Sequence, residues 1–192
     1  MDAAQYEYFQ NELNRLLARR NEIKGRIGGL STVLTQLTNQ LGVEKRNLAT
    51  YIAERDKLNN KIKEYEAMKA SLEELSSSLR SVHGSLISAK DALGNLIQGD
   101  SVKKETISGE INTKMDTVWN YYSAILRITN EASSKIADLK EAFTKKQTAV
   151  INANSAINNL NKEIEDKQTE ITFLNQDLNV VEESIRFYSE QI

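Results

Sequence analysis

Residues 136–185 read IADLKEAFTKKQTAVINANSAINNLNKEIEDKQTEITFLNQDLNVVEESI, and the placement of their apolar side chains decides the fold. Ile136, Leu139, Phe143, Val150, Ala153, Ile157, Leu160, Ile164, Ile171, Leu174, Leu178, Val181 and Ile185 follow in alternating steps of three and four, with Lys146 and Lys167 filling the gaps. That spacing keeps the side chains on one narrow stripe of an α-helix, the seam along which helices of a coiled coil meet. Outward from this stretch, the same steps run back through Ala132, Thr129, Ile125, Tyr122, Val118 and Met115 to Ile111, and forward through Tyr188 to Ile192. Of these 24 positions only Thr129, Lys146 and Lys167 are not apolar. The pattern predicts one helix over residues 105–192.

The first half carries the same period less cleanly. One seven-residue series is Leu16, Ile23, Leu30, Leu37, Glu44, Tyr51, Leu58, Tyr65, Leu72, Leu79, Leu86 and Leu93. Its companion is Leu13, Arg20, Ile27, Leu34, Leu41, Leu48, Arg55, Ile62, Lys69, Ser76, His83, Lys90 and Ile97, polar mostly after Ile62. Less apolar area is therefore available near residue 97, where each Å² buried stabilises by roughly 25 cal/mol, and that end is expected to be the looser one. The chain holds no proline, so nothing of that kind interrupts a helix. Gly28-Gly29 lies between Ile27 and Leu30 without disturbing the phase, so it reads either as a soft spot or close contact within a helix or as a break. Gln98-Gly99-Asp100-Ser101 is the better turn: Gly99 can end a helix in the left-handed conformation, and Asp100 or Ser101 can cap the next. Arms of about 5–97 and 105–192, joined by a bend over about 98–104, are matched in length. The expected fold is all-α, a long antiparallel coiled-coil helical hairpin occupying residues 1–192 as a single elongated domain. The same seam can also close between two chains, as a homodimer.

Charge supports this reading and narrows the function. There are 25 basic and 27 acidic residues among 192, without the basic surplus of a nucleic-acid binder. Residues 1–97 carry 14 basic and 12 acidic side chains, whereas residues 98–192 carry 11 and 15, so the arms tolerate lying side by side. Six acid-then-base pairs at i,i+4 (Glu22–Arg26, Glu110–Lys114, Glu131–Lys135, Glu141–Lys145, Glu163–Lys167 and Glu182–Arg186) favour exposed helix by a few tenths of a kcal/mol each. With this bend, residues whose numbers add to about 202 face each other, which places Arg20 opposite Glu182 and Glu183, and Lys146 near Glu54 and Asp56. No run of about 18 apolar residues exists to span a membrane. The opening Met-Asp-Ala-Ala-Gln-Tyr-Glu lacks the basic and apolar parts of a secretory signal, so the expectation is a cytoplasmic protein, with any export using a route that needs no cleavable signal.

Chemistry is hard to find. Cysteine is absent and His83 is the one histidine, which leaves no set of residues for zinc or for nucleophilic catalysis. No phosphate-binding glycine loop after a strand is present. Neither catalytic residues nor a cofactor or metal site is expected. The unusual local feature is Trp119-Asn120-Tyr121-Tyr122. Tyr122 is on the seam, but Trp119 and Tyr121 are not, which leaves aromatic area of the kind that anchors protein interfaces. Tyr6, Tyr8 and Phe9 form a smaller aromatic group, read as a frayed end or a docking point.

Two coiled-coil arms about a glycine bend resemble the small helical partner proteins of type VII secretion. More narrowly, the chain looks like the helical proteins that bind the amino-terminal helical domain of LXG-type toxins before export. Phe173–Asp177 matches a Phe-x-x-x-Asp pair seen in some of those partners, with both residues on one helical face. The chain departs from the wider family in two places. Its only Trp begins Trp119-Asn120-Tyr121 rather than a Trp-x-Gly turn, and Tyr188 is followed four residues later by Ile192 rather than by an acid. The resemblance implies a non-catalytic partner or targeting chaperone for a larger helical protein, with Trp119, Tyr121, Phe173 and Asp177 as partner-binding residues. The competing expectation is a structural coiled-coil spacer or tether of phage or cytoskeletal type, which would leave no apolar strip uncovered.

Overall fold

A computed structural model describes residues 2–96, 99 and 101–192. Two helices, α1 (Ala3–Leu96) and α2 (Ser101–Gln191), pack antiparallel as an all-α hairpin, as the seam requires. α1 starts two residues before the expected arm because Asp2 caps it. The Asp2 carboxylate accepts from the Gln5 backbone N–H at 2.8 Å, and the Gln5 side chain accepts from the Asp2 backbone N–H at 3.3 Å. This reciprocal box satisfies donors at a helix start. α2 starts at Ser101 rather than 105, since Ser101-Val-Lys-Lys contains nothing that stops a helix. Of the expected bend, Gln98 and Asp100 lie outside the described residues, as does the seam residue Ile97. The left-handed cap expected at Gly99 is defined by these neighbours and falls outside the described residues with them. Gly28 and Gly29 lie inside unbroken helix, and a methyl at either would meet nothing within 4 Å. They mark neither a break nor a close contact.

Packing divides into two units. The first joins Met1–Tyr51 with Thr148–Ile192. Its core is Leu16, Ile23, Leu174 and Val181, against which Ile27, Leu30, Leu178, Ile185 and Tyr188 pack. Arg19 pairs with Asp177 at 3.1 Å, Lys24 with Glu182 at 2.9 Å and Arg26 with Glu170 at 3.5 Å along the two flanks of this core. The second unit is Ile52–Gln147. Here Ile62, Ser76, Thr129, Ala132, Ile136 and Leu139 are buried, and Lys140–Glu66 and Lys146–Glu54, both at 2.7 Å, tie the helices together. Numbers of residues paired across the helices add to between 196 and 206 in both units, which is the expected register.

Every seam position of α2 from Ile111 to Tyr188 is buried or half-buried, and so is every described member of the two α1 series. The core does thin toward the bend: no described residue between 77 and 128 is buried. Polar residues set this limit, because Lys90 at its seam position reaches outward to Asn112 at 2.8 Å instead of filling space. Exposed pairing follows proximity across helices as much as the i,i+4 rule. Glu141–Lys145 forms at 2.6 Å and Glu131 pairs within its helix with Arg127, four residues before it, whereas Glu182 and Arg26 take Lys24 and Glu170 of the other helix as partners.

Candidate protein-interaction surface

Successive residues of an α-helix are rotated by about 100°, so Trp119 and Tyr121 stand on opposite flanks of the seam that Val118 and Tyr122 occupy. The structure therefore separates two residues that share one motif in the sequence. Trp119 is 51% exposed and lies against His83 (ring centroids 5.3 Å apart) and Tyr122 (5.2 Å). Part of its ring thus fills the thin seam beside a half-buried histidine. Tyr121 is 62% exposed on the other flank.

Phe173 and Asp177 sit in the first unit. Phe173 is 66% exposed, while Asp177 is held by Arg19. Both line a shallow groove of about 390 Å³ with Arg26, Glu170, Leu174 and Val180. The pair is thus brought together on one face, but the aspartate is already engaged by a guanidinium from α1. Val180 and Phe187, also exposed, continue the line of Phe173 at intervals of seven residues, a row that the seam-centred reading of the sequence passed over. The signal was present: a second heptad series displaced by one residue from Leu174, Val181 and Tyr188.

Phe9 packs on Tyr188 with centroids 5.8 Å apart, Tyr8 on Phe9 at 5.7 Å and Phe187 on Tyr188 at 5.3 Å. Of the amino-terminal aromatics, Phe9, and through it Tyr8, are therefore tied to α2, while Tyr6 is exposed. A side-chain hydrogen bond with Tyr8 raises the Tyr188 phenol above its usual range. Among the described residues no three His, Cys, Asp or Glu side chains gather as a metal ion would need, and no helix is long and apolar enough to cross a membrane.

The class defined by these features is an antiparallel two-helix hairpin that carries exposed aromatic side chains on its helices. Compared with known proteins, the chain matches no protein-family model and no curated protein.

Proposed function

We propose that this chain is a non-catalytic helical interaction factor: a partner or targeting chaperone for a larger helical protein, of the kind that a type VII secreted toxin with a helical amino-terminal domain represents. The observation that carries the reading is the exposure of Trp119, Tyr121 and Phe173, aromatic side chains each more than half in water on a helix whose seam is closed. Aromatic side chains held rigidly in water lose little conformational entropy on binding and can each carry about 2 kcal/mol or more of an interface. A partner helix laid along the face that carries one of them would cover that side chain and complete a bundle there.

The second reading, a spacer or tether, draws on the closure of the seam within the hairpin. Co-expression with the helical amino-terminal domain of an LXG-type toxin, followed by affinity measurement, separates the two. Trp119→Ala, Tyr121→Ala and Phe173→Ala are made singly, because the residues lie on different faces. A partner protein forms the complex, and at least one variant weakens it about 30-fold with an unchanged melting temperature. A spacer forms no complex.

A further inference from the structure

The residues immediately preceding each companion-series position of α1 (12, 19, 26 and so on, every seventh residue) change character along the helix. From the amino terminus they are Glu12, Arg19, Arg26, Val33, Gln40, Asn47, Glu54 and Lys61; from there they become Met68, Leu75, Val82, Ala89 and Leu96. The same flank of α2 presents Tyr121 and Ile128. Met68 and Ile128 line one groove in the second unit together with Tyr65 and Ala132, so the two rows belong to one side of the hairpin there. A seam needs apolar groups at two positions in seven; a third apolar position is the pattern of a helix that faces more than one neighbour. In the hairpin those side chains remain in water: Met68 is 42%, Leu75 48%, Val82 48%, Ile128 39% and Tyr121 62% exposed.

From these features we infer that this face of the second unit binds a second copy of the same chain, giving a four-helix assembly. Three features select a copy of itself as the occupant. First, Met68, Leu75 and Val82 are evenly spaced, so the row reads alike from either end. A two-fold axis at Leu75 sets Met68 of one chain against Val82 of the other and Leu75 against Leu75. Second, charge permits self-contact. The exposed residues Ser71, Ser78, Ser85 and Ala92 on α1 and Thr117 and Ala124 on α2 beside the rows carry none, and the two charges that line the groove, Glu131 and Lys135, are of opposite sign, so two identical faces meet without a surplus of like charge. Their small size also leaves hollows between the larger side chains, into which the partner's row fits. Third, the area suffices. The five apolar side chains expose roughly 500 Å², at the upper end for the largest patch of an ordinary monomer. With the serine row they exceed the roughly 500 Å² per partner that the smallest specific interfaces, of about 1,000 Å² in total, require. This pairing assigns Tyr121 to the self-interface and leaves Trp119, on the opposite flank, and Phe173, in the first unit, to a different protein.

Sedimentation equilibrium of the full chain, from about 1 to 100 μM, tests the inference, with helicity followed by circular dichroism. The wild type sediments at twice the chain mass. Leu75→Glu and, separately, Ser78→Arg raise the dissociation constant at least about tenfold while helicity is kept. Ser78 is exposed, so its substitution leaves the hairpin's own packing intact. Ile151→Glu places the same charge at a 55%-exposed residue in the first unit and leaves the dimer unchanged. A monomeric wild type, a dimer indifferent to both face variants, or open-ended assembly overturns the inference. Because no other protein is present, none of these outcomes bears on whether the toxin domain binds through Trp119 or Phe173; they decide only whether Tyr121 is left for it.

Discussion

Arg20 occupies a seam position with its Nε buried and no hydrogen-bond acceptor within reach. The expected partner, Glu182, is hydrogen-bonded instead to Lys24, one helical turn further along α1. Lys24 holds the Glu182 carboxyl below its ordinary value of 4.5, chiefly by that hydrogen bond and then by charge, while Arg20 adds only a weaker attraction. A double-mutant cycle should accordingly show stronger coupling for Lys24 with Glu182 than for Arg20 with Glu182. A buried donor without an acceptor costs about 1–3 kcal/mol. Arg20→Leu, which restores the apolar seam, should therefore stabilise the protein by about that amount in urea unfolding; a loss of stability would mean that the guanidinium finds an acceptor after all. The sign of the pH effect follows from the same group. A carboxylate with a lowered pKa stabilises the fold above its unfolded value and loses that contribution as pH falls through the lower, folded value. Melting temperatures should thus be flat just above pH 5 and decline below about pH 4.5. Glu182→Gln should show a shallower decline than the wild type, and an equal decline would assign the acid sensitivity to other carboxylates, such as Glu141, which Lys145 lowers in the same way.

At the scale of the helices, the sequence was legible wherever one stripe of side chains did one job. The alternation of three and four in α2 predicts its buried face from Ile111 to Tyr188, and even the polar exceptions Thr129, Lys146 and Lys167 are buried or half-buried. Helix ends were less legible, because they depend on single hydrogen bonds. The Asp2–Gln5 box can be read from an acid followed three residues later by Gln, but it lay outside the stripe being followed. The off-seam rows were missed for a related reason: Met68, Leu75 and Val82 keep the seam's own period, so a search for one stripe absorbs them without distinguishing them. Glycine was legible in position and misleading in role. Gly28 and Gly29 punctuate the sequence, yet both adopt ordinary helical backbone with open space where a side chain would go. Each glycine costs a helix interior roughly 1 kcal/mol relative to alanine. Gly28→Ala and Gly29→Ala should therefore each stabilise by about that amount, with the denaturant slope unchanged. A destabilised variant would show that one of these positions needs a close approach absent from the hairpin alone, as an unrecognised partner helix would supply.

For the whole molecule, the decisive distinction is whether the seam closes within one chain, because a repeat of seven is equally consistent with two chains paired along their lengths. Hairpin and dimer bury the same kinds of residue, so composition and periodicity do not separate them; a turn in the middle does, and here it rests on few residues. The absence of cysteine makes a covalent test clean, since any disulfide must come from the introduced pair. Phe9 and Tyr188 are in ring contact in the first unit, and His83 and Trp119 in the second. Phe9→Cys with Tyr188→Cys, and separately His83→Cys with Trp119→Cys, should oxidise to chains that run as single, compact species on non-reducing denaturing gels. The proposed self-association does not alter this outcome, because it places a different face, that of Met68, Leu75 and Val82, between copies. Covalent dimers forming in preference to internal bridges, at protein concentrations well below that of association, would show that the seam joins two chains. A bridge in one pair but not in the other would locate the unit in which the antiparallel register fails.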